Sequence, residues 1–208
     1  LFFINISRIK MIIVREKNKS EPYKVFYNYL DKAMKVEQPT VDAITISSYN
    51  KTLCEVDARY VNLKYILNDE WIFFSNYNSK KSKDFYSHDQ ISALLYWDRI
   101  NVQIRMKAKI KKTSDEYNQK YFFDRSEEKN ALAISSNQSK PIDSYSQVKE
   151  NYNKSLKNDD LKKCPEYWGG YSFAPYYFEF WEGHESRINR REIFEKIDIV
   201  WKQSFLQP

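Results

Sequence analysis

The sequence predicts an α+β protein, mainly β, built as one small closed or partly closed antiparallel barrel with helices packed outside it. Three observations lead there. Aromatic residues make up 17% of the 208 residues, with 17 Tyr and 13 Phe, a load that favours strands and flat surfaces over a leucine-rich helical bundle. Short apolar runs bounded by turn residues recur through the first half and again near the C-terminus. The connections between the first runs are too short for crossover helices, so neighbouring strands are expected to pair antiparallel.

Glu21 to Val36 reads as a helix with Phe26, Tyr29, Leu30, Ala33 and Met34 on one face, Pro22 near its start and Pro39 beyond its end. Val41 to Ser48 is strand-like and is followed by the turn residues Tyr49-Asn50-Lys51. Cys54 to Leu67 is one extended run, turning at Asn68-Asp69 into Trp71 to Phe74, so this part is expected to form an antiparallel meander. Ser79, Lys80, Lys81 and Ser82 open a short helix to about Tyr86. Lysines at a helix start oppose the macrodipole unless an anion also sits there. Ile91 to Trp97 reads as a buried strand, and Val102 to Ile110 alternates apolar and polar residues as a half-exposed one. Helices are expected from Ser114, an N-cap, to Phe123, from Arg125 to Ser135 and from Ser144 to Leu156. After a charged linker at Asn158 to Lys163, strands are expected at Tyr176 to Glu182, Glu192 to Lys196 and Ile199 to Gln203.

This organisation gives a single domain over residues 21–208, including a C-terminal segment from about 165, after a flexible N-terminal extension at 1–20 in which Met11 is a candidate start. Three glycines leave no GxGxxG and no GxxxxGK, which excludes a dinucleotide fingerprint and a P-loop. Two cysteines without a CxxC and two histidines argue against a zinc site or a disulfide framework and predict a cytoplasmic protein. The apolar start is broken by Arg8 and Lys10, so no membrane association is expected. A net charge of +6 admits an anionic partner, but the basic residues do not cluster on one helix and no RNA-binding aromatic motif occurs, so nucleic acid is not expected. Tyr167 to Arg191 sets a run of rings beside Arg187, Arg190 and Arg191, which suits a flat, phosphorylated ligand. A barrel this small fills its own interior, so that ligand must bind outside it or in a subunit interface, and a dimer is expected.

Several spaced motifs then resemble the pyridoxamine 5'-phosphate oxidase family. They are Arg59-Tyr60-Val61-Asn62-Leu63-Lys64, Phe73-Phe74-Ser75-Asn76 with Ser79-Lys80-Lys81, Gln103, the Tyr121/Arg125 pair, and Gln138-Ser139. Tyr167-Trp168-Gly169-Gly170, Glu179-Phe180-Trp181 with Arg187-Ile188-Asn189-Arg190-Arg191, and the closing Leu206-Gln207-Pro208 complete the set. Motifs that keep this order over Pro22 to Pro208 are specific where one would be weak. The resemblance implies a Greek-key split β-barrel homodimer with FMN at each end of the subunit interface. It implies that Arg59, Lys80, Lys81 and Ser139 surround the flavin phosphate and ribityl chain. Tyr60, Lys64, Phe74, Ser75, Gln103, Gln138, Trp181 and Arg191 would complete the flavin site. Lys64, Tyr121 and Arg125 would meet a substrate phosphate, and Arg187 would lie over its pyridine ring.

The activity so implied oxidises pyridoxamine or pyridoxine 5'-phosphate to pyridoxal 5'-phosphate by hydride transfer from C4' to flavin N5. Dioxygen is the acceptor, giving hydrogen peroxide, with ammonia released from the amine. Three positions depart from the family pattern: Asn189 stands for its signature histidine, Arg190 for the acid after it, and Lys129 for a serine at the substrate phosphate. Asn189 can hydrogen-bond a pyridine hydroxyl but cannot carry a proton. The alternatives are therefore a related flavin oxidase of another aromatic substrate and a non-catalytic holder of FMN or pyridoxal phosphate.

Overall fold

The computed structural model describes residues 11–208; the apolar stretch before Met11 lies outside them. Helix α1, Glu21–Lys35, follows strand β1, Ile13–Lys17. Strands β2 to β5 occupy Ala43–Asn50, Glu55–Asn62, Tyr65–Asn68 and Glu70–Asn76. Helix α2, Lys80–Ser87, leads to β6, Gln90–Trp97, and β7, Val102–Lys112. Three helices follow, α3 at Asp115–Asp124, α4 at Glu127–Ser135 and α5 at Tyr145–Asn158. The chain closes with β8, Trp168–Glu182, β9, Arg190–Ile197, and β10, Val200–Leu206.

The ten strands of the described residues join one sheet in the order β1-β4-β5-β8-β7-β6-β2-β3, with β9 attached to β8 and β10 to β9. The fifteen-residue β8 governs this layout. One of its edges pairs with β7 from Tyr171 to Glu182. The other is divided, with Trp168 to Phe173 on β5 and Tyr177 to Glu182 on β9. The curled sheet wraps a core of aromatic and β-branched side chains, including fully buried Trp71, Phe73, Phe173, Phe178 and Ile44. Helix α1 seals it. Phe26 lies with its ring centre 4.6 Å from that of Trp71 and 5.9 Å from that of Trp97, at the face the periodicity marked.

The expected helices form, and Ser114 caps α3 by accepting from the backbone N–H of Tyr117. The Asn68-Asp69 hairpin also forms, with Asn68 at a positive φ of 55°. Four expectations need correction. The run from Cys54 to Leu67 is two strands, and they do not pair in a meander: β3 lies outside β2, while β4 lies between β1 and β5. The switch occurs where Leu63 N–H donates to the Asp42 carbonyl and Lys64 N–H to that of Ile72, handing the backbone from one neighbour to another. Within the supposed extension, Ile13–Lys17 is a sheet strand, parallel to β4. Strand β6 alternates buried and exposed residues rather than being buried throughout. Finally, β8 begins at Trp168, eight residues before Tyr176.

That early start rests on Gly169 and Gly170. A Cβ on Gly169 would strike the Tyr77 hydroxyl and the buried Asn118 amide, and one on Gly170 would lie 2.5 Å from Thr113 Oγ1. Asn118 Oδ1 also accepts from Gly170 N–H at 2.8 Å, so α3 is bonded to the strand where the glycines leave room. Gly169→Ala should therefore cost about 1–3 kcal/mol by overpacking, measured by urea denaturation. Wild-type stability would show that the α3–β8 contact yields freely.

Candidate functional site

A cleft of about 750 Å³ opens beside α2 and α3, on the outside of the barrel. Strand β3 contributes Arg59 and Tyr60, β5 contributes Phe74 and Ser75, and the start of α2 contributes Lys80 and Lys81. Lys64 enters from the β3–β4 break, and Tyr121, Arg125 and Lys129 come from α3 and α4. Gln138 and Ser139 close it from the following loop, Ser139 at a φ of 70°. Twelve of the residues that the sequence marks as site candidates thus line one concavity.

Its cations are not alike. Arg59 donates to Ser48 Oγ at 2.7 Å and pairs with Asp57 at 3.0 Å and with buried Asp84 at 3.7 Å. Asp84 is itself bonded by Ser48 and Asn50, so β2, β3 and α2 together hold the guanidinium in place. Lys80 reaches Asp57 at 3.4 Å. Burial pushes the Asp57 carboxyl up, but Arg59 and the Lys80 hydrogen bond bring it below the usual range.

Lys81 is different. It is only 8% exposed, and its Nζ donates to hydroxyls alone, Ser75 Oγ at 3.0 Å and Ser79 Oγ at 3.2 Å. Burial, followed by repulsion from Arg59, pulls its pKa down to about 8. A buried ammonium beside a fixed guanidinium, with no carboxylate in ion-pair contact among the described residues and Asp57 acting only from farther off, is the arrangement that a bound phosphate dianion would relieve. The residues at this end therefore fit the phosphate of an FMN.

At the other end, Phe74, Tyr121 and Trp168 lie nearly parallel. The Phe74 ring centre is 3.6 Å from that of Tyr121 and 5.3 Å from that of Trp168. Arg125 lies over Trp168 at 4.6 Å and donates to Asn130 Oδ1 at 3.1 Å. Burial pushes the Tyr121 hydroxyl up to about 12, so it remains a neutral donor. Lys64 pairs at 3.1 Å with Asp42, which is fully buried. Gln138 Oε1 accepts from Ser75 Oγ and from Asn76 N–H, both at 3.3 Å, tying the loop to β5.

The remaining candidates are elsewhere. Gln103, Trp181 and Arg191 are register partners across β7, β8 and β9. Trp168 lies at one end of β8 and Trp181 near the other, about 40 Å apart along the strand at ~3.3 Å per residue. Arg191 donates to Glu179 Oε1 through Nε at 3.0 Å and Nη2 at 2.8 Å, while Arg105 and Tyr177 bond the other carboxylate oxygen. Burial raises the Glu179 carboxyl, but these donors outweigh it and hold it below the usual range. Arg187 sits in the turn after β8 at a φ of 62°, and Asn189 Oδ1 accepts from His184 N–H at 3.0 Å. Arg190 pairs with Glu192 at 2.6 Å.

Sequence reasoning passed over Asp42, Asp57, Asp84 and Ser48, the groups that hold the basic side chains. Only Asp57 left a signal, two residues before Arg59 on the same strand face.

The C-terminal dimerisation region of pyridoxine 5'-phosphate oxidase matches residues 168–208. The pyridoxine/pyridoxamine 5'-phosphate oxidase of Christiangramia forsetii is 34% identical over 194 residues, 90% of this chain and 89% of the relative. The chain belongs to the pyridoxine/pyridoxamine 5'-phosphate oxidase family. Two solved structures share its split-barrel fold. PhzG from Burkholderia lata, in complex with tetrahydrophenazine-1-carboxylic acid, superposes with a TM-score of 0.85 at 24% identity, covering 91% of this chain and 93% of its own. A pyridoxamine 5'-phosphate oxidase-related, FMN-binding protein from Nostoc punctiforme gives 0.73 at 12% identity, covering 91% and 99%.

Because Lys81 is charged only below about pH 8 when no anion is bound, its ligand should hold the charged form and lift that value. FMN affinity, followed by quenching of flavin fluorescence, should be flat from pH 7 to 8 and then fall towards about tenfold per pH unit. Lys81→Met should bind about 10–100-fold more weakly at pH 7, the loss of one charge-assisted bond, and lose that slope. An unchanged slope in the variant would remove Lys81 from the anion site.

Proposed function

We propose that this chain is an FMN-dependent oxidase of pyridoxamine 5'-phosphate or pyridoxine 5'-phosphate, producing pyridoxal 5'-phosphate with dioxygen as acceptor. The observation that carries this reading is the pairing, in one cleft, of a buried lysine bonded to hydroxyls with an aromatic wall capped by a second cationic group, in a chain of this family. FMN when bound supplies the hydride acceptor and its reoxidation by dioxygen. Lys81, Arg59, Lys80 and Ser139 hold its phosphate and ribityl chain, and Ser75 and Gln138 hydrogen-bond to it. Tyr121 donates through a hydroxyl that stays protonated, and Arg125 stays charged beside it. These groups bind and orient, and no side-chain acid–base pair is required.

The reading includes a homodimer. Gln103, Trp181 and Arg191 are too far along β8 from the cleft to serve it within one chain, and a second copy would bring them to it. The matched C-terminal dimerisation region supports the same arrangement. The protein would act in the cytoplasm. Among the described residues no helix is long and apolar enough to cross a membrane.

One observation favours a second reading. Asn189, at the family's histidine, spends its side-chain acceptor on His184 of its own turn, leaving less to recognise a pyridine hydroxyl. A related flavin oxidase of another aromatic substrate is consistent with that. The purified protein should be yellow, and pyridoxamine 5'-phosphate added without oxygen should bleach the flavin, with colour returning in air. A yellow protein bleached by neither phosphorylated vitamer would rule out the first reading and leave the second.

A further inference from the structure

The chain leads from β8 into β9 through Arg187, Arg190 and Arg191, and the last two are committed. Arg190 donates to Glu192 at 2.6 Å, and Arg191 holds Glu179 through two nitrogens. Arg187 is exposed in the turn itself, and its side chain has neither an ion pair nor a hydrogen bond among the described residues. Its backbone is also unusual. A φ of 62° puts a long side chain in the left-handed region, which persists only where the surroundings impose it.

His184 and Asn189 supply that constraint. Arg187 N–H donates to the His184 carbonyl at 2.9 Å, closing a β-turn over residues 184–187. Inside this turn the His184 ring accepts from Ser186 N–H through Nδ1 at 3.1 Å. A ring nitrogen bonded to the amide two residues on takes the place of the side-chain oxygen in an Asx-turn. From beyond the turn, Asn189 Oδ1 accepts from His184 N–H at 3.0 Å, returning the chain to where the turn begins. Gly183 N–H fixes the base on the Asn101 carbonyl at 3.0 Å. Asn189 is half-buried among these bonds, whereas Arg187 and Ile188 are exposed.

We infer that Asn189 and His184 are positioning residues: they clamp the turn so that Arg187, and not Asn189, meets the ring of the oxidised substrate. This rests on the proposed function and deepens it, since the group standing at the family's histidine acts on the substrate only through its neighbour. Replacing Asn189 should then matter only while Arg187 is present. An asparagine that touched the substrate itself would lose its own contact whatever stood at 187, and the two losses would multiply.

The test uses FMN-saturated protein and equilibrium dialysis with 4'-deoxypyridoxine 5'-phosphate, which has no alcohol or amine at C4' to oxidise. Arg187→Gln should weaken binding about tenfold or more, and Asn189→Leu about three- to tenfold. Adding Asn189→Leu to Arg187→Gln should change binding by less than about twofold. His184→Phe should match Asn189→Leu, and His184→Asn should bind as the wild type does, because its Oδ1 can accept the same amide. Hydrogen exchange in the turn, followed by mass spectrometry, should speed up in Asn189→Leu and His184→Phe but not in His184→Asn. The inference is overturned if the losses at 187 and 189 multiply, if Asn189→Leu binds within about twofold of the wild type, if exchange in the turn is unchanged, or if the wild type does not bind the probe. Wild-type binding by Arg187→Gln would also overturn it, and would take Arg187 off the substrate. Should Asn189→Leu fail to fold, His184→Phe is combined with Arg187→Gln and read by the same cycle. Turnover of pyridoxamine 5'-phosphate is scored separately. The expected binding pattern without turnover would sink the proposed reaction and keep the clamp.

Discussion

The shared edge of β8 is the constraint on which the rest of the structure depends. A fifteen-residue strand is long for a small barrel, and it pairs with β7 along most of its length. Its second edge cannot serve one neighbour throughout, so β5 takes the first part and β9 the last. That division sets Trp168 against the cleft and carries Trp181, with its register partners Gln103 and Arg191, to the far end. Glu179 secures the far end from within, buried and bonded by Arg191, Arg105 and Tyr177. Acid should loosen it. Its folded pKa is depressed, so its stabilisation is present above the unfolded carboxylate value near 4.3 and disappears as pH falls through the folded one.

Within the cleft, function follows from which cations have carboxylates and which do not. Arg59 and Lys64 are each paired with a buried aspartate, so these two groups are fixed before any ligand arrives, while exposed Lys80 only reaches Asp57. Fixed groups need little reorganisation on binding, which is how a phosphate can be held tightly at an open site. Lys81, Arg125 and Lys129 have no carboxylate in ion-pair contact among the described residues and are the groups a bound anion would satisfy. The two sets are interleaved along the chain, and only the fold sorts them.

Much of this was legible in the sequence. The α1 face, the Ser114 cap, the Asn68-Asp69 turn and the short helix at Lys80 all follow from local periodicity and turn chemistry. The ordered motifs brought most cleft residues into view because each is a chain segment with its own spacing. What local pattern cannot carry is the choice of neighbour. An extended run reads the same whether it stays with one partner or changes at Leu63, and the parallel pairing of Ile13–Lys17 has no periodic mark of its own. Gly169 and Gly170 look like a loop until Tyr77 and Asn118 are seen against them. The aspartates beneath the basic residues were hidden for the same reason: Asp84 and Asp42 are 25 and 22 residues from their partners Arg59 and Lys64. The resemblance grouped Trp181 and Arg191 with Lys81 as one flavin site, yet the strand that carries Trp181 takes it away from the cleft.

That separation makes the site shared between two copies the central claim, and subunit mixing tests it most directly. A Lys81→Met chain is impaired at the cleft, and a Trp181→Ala, Arg191→Ala chain at the far end. Neither homodimer would contain an intact site. Mixing them through a denature–refold cycle should restore flavin-dependent oxidase activity to about a quarter of wild type, since half the dimers would be hybrids with one intact site of two. Activity that stays at the level of the separate variants, with hybrid dimers verified by differential tags, would contradict the account and require a complete site within one chain.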